Sequence, residues 1–370
     1  MPNSHAHTSG QRKAGSSSRL KIIIIATILA LVVVGSFGYV YLTSKKTSAP
    51  TSTTSPTSNN SQASIPTSAA KSTATCPLTD LPAPNGVVPQ RPALAVKVGN
   101  DPGARPQSGL QEADIVYEVQ VEGGITRYIA VYQCHNAPAI GPVRSLRWTD
   151  WHVIEPLGKP ILAFAGGINP DRNAVSQLPY LFDADFFRYI NAYYRISSRV
   201  APENLYTSTK RLYALDRSTT PPPQIFSFQT QAPTGGVSVS NVYIPFSYAA
   251  QVNWTWSQQK QLWLRSYGTQ PDISNGGIQQ NATNVVVQKV QTVPGPYVET
   301  GTNVYGVHSI TIGTGPAMIF RNGKEYKGYW SRPSYADPTT YYTSAGAKIP
   351  LMPGRTWVEL VPNTVSVQAN

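Results

Sequence analysis

The alternation of apolar and polar positions is clearest between residues 114 and 133. Asp114, Val116, Glu118, Gln120 and Glu122 fall on one face of an extended segment, while Ile115, Tyr117, Val119 and Val121 fall on the other. That period of two marks a β-strand. Gly123-Gly124 and the apolar run Ile125–Gln133 follow, which predicts a hairpin with a two-residue turn whose glycines supply positive φ angles. This register sets Glu122 opposite Ile125 and Gln120 opposite Arg127, so that Arg127 lies diagonally between Glu118 and Glu122.

Around this hairpin the pattern predicts alternating strands and helices. Ala93–Val98 reads as a buried strand leading into a Gly/Pro-rich loop. Leu146–Leu157 has helical potential with Thr149 or Asp150 as N-cap, Pro160–Ala165 is a second buried strand ending at Gly166-Gly167, and Asn169–Leu178 and Glu203–Leu215 read as helices. Beyond Thr219–Pro223 the chain is strand-like: Val237–Phe246, Gln251–Trp256, Gln261–Tyr267, Asn284–Val290, Gly306–Ile312, Ala317–Phe320, Glu325–Trp330 and Thr356–Val361. Arg321-Asn322-Gly323-Lys324 is a strong hairpin turn. The expected fold is α+β: an N-terminal α/β domain with a mixed sheet over 76–223, then a mainly antiparallel β-domain over 224–370.

The first 75 residues are different in kind. Ile22–Leu42 is an uncharged apolar run, long enough as a helix to cross the roughly 30 Å hydrocarbon core of a bilayer. Four basic residues in the tail at 1–21 precede it and only Lys45 and Lys46 follow closely, so the positive-inside bias places the N-terminus in the cytoplasm and the bulk of the chain outside. Residues 43–75 are mostly Ser, Thr, Pro, Ala, Asn and Gln, a composition that cannot bury enough apolar surface to order itself. It reads as a disordered tether. Seven of the 30 basic residues and no acidic ones precede Cys76, which leaves 23 basic against 18 acidic residues and a net charge of +5. That is weak support for nucleic acid, and none is expected as a partner. Outside the membrane, Cys76 and Cys134 suit one disulfide.

Charge is scarce, 13% of residues against roughly a quarter in an average domain, yet it gathers between Ala104 and Asp150. Arg105, Glu118, Glu122, Arg127, Arg144, Arg147 and Asp150 are the candidate ligand-binding residues. Two readings are open: a structural ion-pair cluster, or a polar ligand pocket completed by Arg144, Arg147 and Asp150. The three histidines of the folded part, His135, His152 and His308, are widely separated, so no metal is expected, and without a phosphate-binding Gly-rich loop or a GxSxG elbow no cofactor is either. Catalytic residues are not assigned. Glu118 and Glu122 as a glycan acid/base pair would stand about 13 Å apart on a strand, beyond the roughly 5–9.5 Å that glycosidases use, so a second carboxylate such as Asp150 would be needed.

Arg105-Pro106-Gln107-Ser108-Gly109-Leu110, Ala113-Asp114-Ile115-Val116-Tyr117-Glu118, Glu122-Gly123-Gly124-Ile125-Thr126-Arg127 and Gly141-Pro142-Val143-Arg144-Ser145 together resemble the signature of the YerB-like family. The likeness extends through Gly328-Tyr329-Trp330 and Pro353-Gly354-Arg355-Thr356-Trp357-Val358. It implies a bacterial envelope protein, often a lipoprotein, with an N-terminal α/β part and a C-terminal β-rich part of unknown function. This chain differs from lipoprotein members in having the Ile22–Leu42 segment in place of a lipidated cysteine. The leading expectation is a membrane-anchored extracytoplasmic binding or scaffold protein for a cell-wall glycan or anionic polymer. The alternatives are a wall-acting enzyme using Glu118, Glu122 or Asp150, and an adaptor for a protein partner.

Overall fold

A computed structural model describes residues 74–370. The basic tail, the Ile22–Leu42 segment and all but the last two residues of the linker lie outside the described residues. No helix among those described is long and apolar enough to cross a membrane.

The strands that position the site are β1 (Leu94–Gly99), β2 (Ile115–Gln120), β3 (Thr126–Tyr132), β4 (Ile161–Phe164) and β5 (Phe182–Asp185), then β6 (Asn241–Ser247), β7 (Ala250–Ser257), β8 (Leu262–Tyr267), β9 (Asn284–Val298), β10 (Tyr305–Ile310), β11 (Gly313–Arg321), β12 (Lys324–Arg332), β13 (Thr340–Thr343) and β14 (Thr356–Pro362). The α-helices among the described residues are short: α1 (Trp148–Ile154), α2 (Asn169–Ser176) and α3 (Thr209–Tyr213). The fold is mostly β. One large mixed sheet has the order β13-β12-β11-β9-β14-β2-β3-β1-β4-β5, and a smaller antiparallel sheet contains β8-β7-β6.

Strand β14 is the keystone. All seven of its residues are buried, and it pairs parallel with β9 on one side and β2 on the other. A parallel strand covered on both faces must be apolar almost throughout, and Thr-Trp-Val-Glu-Leu-Val-Pro meets that demand except at Glu359. A strand from the C-terminal half is thereby inserted between strands from both halves, so the second half is not purely antiparallel. The expected boundary at 223/224 falls between segments that share one sheet and one compact unit.

Each face of the large sheet has its own core. On one face Trp254 of β7 packs edge-on against Trp357 at 5.2 Å between ring centroids, and Tyr128 meets Trp357 at 5.3 Å. On the other, Trp151, Val153 and Ile154 of α1 cover Ala95, Ile129, Val131 and Leu162. The Asn322-Gly323 turn forms as the sequence indicates, with φ of 52° and 67° between paired Arg321 and Lys324.

Two local expectations are corrected. The β2–β3 turn takes three residues, Glu122, Gly123 and Gly124, closed by the Val121 N–H donating to the Ile125 carbonyl at 2.9 Å. The ladder therefore sets Glu118 opposite Tyr128 and Val119 opposite Arg127. A one-residue slip moves a side chain to the other face, so Glu118 and Arg127 lie on opposite faces of the sheet. The expected helix over Glu203–Leu215 is confined to α3. Leu205-Tyr206 instead pair with Tyr194-Arg195, and Ser208 caps α3 by accepting the Arg211 N–H at 3.3 Å.

Candidate functional site

Strands β1, β2, β4, β5 and β14 all run the same way, with β3 alone reversed among them. Their carboxyl ends form one edge, the place where open α/β sheets bind ligands. Most of the charges singled out in the sequence arrive there, but they divide into separate groups.

The first group is an ion network beneath that edge, on the α1 face. Lys97 of β1 and Asp150 of α1 are both fully buried and meet at 2.5 Å. Asp150, the third residue of the helix and not its N-cap, also accepts the Arg147 backbone N–H at 2.8 Å. Burial pulls the Lys97 ammonium down to about 8 despite the attraction of Asp150. Arg147 donates to both carboxylate oxygens of Glu122 and lies 3.1 Å from Glu299, at the end of the β9–β10 hairpin. Arg127 reaches Glu122 at 3.3 Å and the Ser145 carbonyl at 3.2 Å. Burial alone would raise the Glu122 carboxyl, but the hydrogen bonds and charges of Arg147 and Arg127 outweigh it and hold it down to about 2. Apart from the Arg127 Nε, which is buried without a partner, these groups largely satisfy one another.

Asp171, at the start of α2, differs. It is 6% exposed, and burial, reinforced by the charges of Glu299 and Asp150 against that of Arg147, pushes its carboxyl up to about 7. Near neutral pH it is therefore divided between its protonated and charged forms.

The second group lies on the opposite face. Glu118 is fully buried, accepting from Arg265 at 2.7 Å, Thr126 at 2.6 Å and Asn100 at 3.2 Å. Arg265 also donates to Asp272 at 2.5 Å. Glu359 joins them, its carboxyl raised far above its ordinary range by burial and then by the Glu118 charge, while accepting from the Trp254 indole at 2.7 Å. Arg105 stacks over Tyr267, 3.5 Å from the ring centre, and donates to the Asn100 and Ala249 carbonyls. This group fastens the smaller sheet to the larger one. Glu118 is fully buried, and Glu122 and Asp150 are paired with cations, so none of the three is a free carboxylate.

Arg144 belongs to a third setting. Its chain segment is pinned to the sheet edge, its N–H donating to the Lys97 carbonyl and its own carbonyl accepting from Ala165. Its side chain pairs with Glu203 at 3.2 Å and Asp101 at 3.6 Å while keeping 18% exposure. It lines a cleft of ≈ 170 Å³ with Ser145, Phe186, Phe187 and Arg195. This cleft sits at the carboxyl ends of β1, β4 and β5. Phe187 is 66% exposed, and the Arg172 guanidinium, held by Asp185 at 2.6 Å, lies 5.1 Å from its ring.

Comparison with known proteins matches residues 78–221 to the "Protein of unknown function (DUF3048) N-terminal domain" and residues 242–358 to the "Protein of unknown function (DUF3048) C-terminal domain". The chain belongs to the DUF3048 family. A relative from Bacillus subtilis (strain 168), named "Putative lipoprotein YerB", is 28% identical over 307 residues, 78% of this chain and 86% of the relative. The crystal structure of the YerB protein from Bacillus subtilis matches with a TM-score of 0.67 at 22% identity, over 80% of this chain and 99% of that one. The fold is shared, and the resemblance drawn from the motifs is borne out.

In this DUF3048 chain the sequence motifs hold Arg105, Glu118, Glu122, Arg127, Arg144, Arg147 and Asp150 near one edge, but only Arg144 lines the cleft. Arg195, Phe186 and Phe187 were not among the expected site residues. The signal for the two phenylalanines was the Phe/Tyr-dense stretch Phe182–Tyr194, whose aromatic residues are usually core. Lys97 was also missed, although a lysine inside Ala93–Val98 had only a buried partner to turn to.

Proposed function

We propose that this DUF3048 protein is anchored in a membrane, faces the extracytoplasmic side, and binds an anionic carbohydrate polymer of the envelope in the cleft beside Arg144. The observation carrying this reading is that exposed Phe187 and two arginines, Arg144 and Arg195, line one open cleft at the carboxyl ends of β1, β4 and β5. A sugar ring stacks on an aromatic face, and guanidinium forks bind carboxylate or phosphate. The exposed lining suits a length of polymer better than an enclosed small molecule. Anchoring is supported by the Ile22–Leu42 sequence and by the lipoprotein name of the Bacillus relative.

The test is retention of the detergent-solubilised full chain on purified cell-wall material. Phe187→Ala and Arg195→Ala remove exposed groups and leave the core intact, so both variants should fold and both should lose retention. Retention unchanged in the double variant refutes the cleft as the site.

One feature favours a second reading, an adaptor for a protein partner. The β9–β10 hairpin leaves Tyr297, Val298, Val304 and Tyr305 between 43% and 54% exposed, and its groove of ≈ 490 Å³ runs along the Gly123-Gly124 turn. Wild-type protein that is not retained on wall material would direct attention there.

A further inference from the structure

The opposite edge of the sheet holds a second constellation. Strands β9, β14 and β2 run parallel and in register, with Asn284 beside Thr356 and Thr356 beside Ile115. The residues just before these strands, Thr283, Arg355 and Asp114, therefore stand in a row at the amino ends. Strand β3 runs the other way and delivers His135 to the same place, three residues past its end at Tyr132. All four line a pocket of ≈ 390 Å³ with Thr79, Glu112 and Asn281, a volume within the roughly 300–1,000 Å³ usual for small-molecule sites.

The chemistry of this row is asymmetric. Asp114, 1% exposed, is fully engaged: it accepts the Gln133 N–H at 2.5 Å and the Cys134 N–H at 3.1 Å, and its other oxygen lies 2.6 Å from His135 Nδ1. The imidazole is thereby oriented, with its side chain 48% exposed and no protein partner for Nε2 among the described residues. The loop carrying it is fixed by the Cys76–Cys134 disulfide and by Arg91, which donates to the His135 carbonyl and to Asn136. Arg355 stands across the pocket. Its guanidinium donates to the carbonyls and side-chain oxygens of Gln111 and Asn281, all uncharged, and no carboxylate within ion-pair distance of it occurs among the described residues. Its Nε is buried without a partner.

A half-open imidazole held by a buried carboxylate, opposite a guanidinium that makes no ion pair among the described residues, makes two cationic donors converging on one small cavity. We propose that this pocket binds a small oxyanion, a carboxylate or phosphate group, between His135 and Arg355. The hydrogen bond that the His135 Nδ1–H donates to Asp114, with the Asp114 charge, raises the His135 pKa against the effects of burial, Arg355 and Arg91, so the imidazolium form persists further towards neutral pH than in a free histidine. Burial lowers Arg355 to about 10, which leaves it charged throughout that range. Glu112 faces the same cavity and opposes an anion. Affinity therefore falls as pH rises through the His135 pKa, and neutralising Glu112 raises it.

The experiment is calorimetric titration of the detergent-solubilised full chain with inorganic phosphate, and separately with acetate, at pH 6 and pH 9. Saturable one-site binding of at least one anion is expected at pH 6, weaker at pH 9. His135→Gln keeps a hydrogen-bonding partner for Asp114 but no charge, and it should weaken binding at pH 6 by about tenfold or more, the loss of one charge-assisted hydrogen bond. Glu112→Gln should strengthen binding, a gain that no folding defect can imitate. Arg355 is left in place because its hydrogen bonds hold Gln111 and Asn281. No saturable heat with either anion at pH 6, or binding that His135→Gln leaves unchanged, overturns the proposal.

Discussion

Replacing Lys97 with methionine tests the ion network most sharply. Methionine keeps the length and much of the volume of lysine, so packing against α1 changes little. The variant strands Asp150, fully buried, without the ammonium that now lies 2.5 Å away. Breaking a buried pair by deleting one partner costs about 3–5 kcal/mol. Asp150 keeps the Arg147 backbone N–H and lies in the field of the Arg127 and Arg147 charges, which places the expected loss at the lower end, about 3 kcal/mol. That is a large share of the roughly 5–15 kcal/mol of a typical domain. The assay is urea unfolding at pH 7 followed by far-UV circular dichroism. The double variant Lys97→Met/Asp150→Asn should recover most of the loss, because asparagine carries no charge and its side-chain oxygen can still accept the Arg147 N–H. A loss below about 1 kcal/mol for Lys97→Met, or a double variant no more stable than the single one, would refute the reasoning.

Two further outcomes are expected. Asp171 binds its proton more tightly in the folded chain, its carboxyl rising from 3.8 to about 7, so its contribution to stability is full below pH 3.8 and is lost as pH rises through 7. After discounting for solvent screening, Asp171→Asn should be more stable than wild type by about 1–2 kcal/mol at pH 8 and equal to it near pH 4 in matched urea titrations. Cys76→Ser removes a bridge that spans 58 residues, which should cost about 2–4 kcal/mol. Hydrogen exchange should then rise at Cys76–Ala83 and around His135 before it rises in β1 or β3.

Most strands were legible because the chain alternates cleanly or runs apolar over short lengths. The parallel insertion of β14 was not, since a buried Thr-Trp-Val-Glu-Leu-Val-Pro run carries no mark of its neighbours. The charges were legible as a group but not in their sorting. That sorting turns on one residue in the β2–β3 turn: when Glu122 leaves the ladder, Arg127 passes to the α1 face and Glu118 to the other. Glu118 then finds Arg265, 147 positions away, a partner that local spacing cannot supply. Sequence distance hid Glu299, Asp171 and the Asp114–His135–Arg355 row in the same way. Asp114 and His135 are only 21 positions apart, but Arg355 joins them solely because β14 lies beside β2.

The most direct test of ligand binding beside Arg144 is a hydroxyl-radical footprint of the detergent-solubilised full chain with and without purified anionic wall polymer. Protection is expected at Phe186, Phe187, Arg195, Arg144 and Ser145, and at the unsubstituted residues it should disappear in Phe187→Ala/Arg195→Ala. Protection confined to Tyr297, Val304 and Tyr305 of the β9–β10 hairpin, with the cleft residues as reactive as in the free protein, would contradict it.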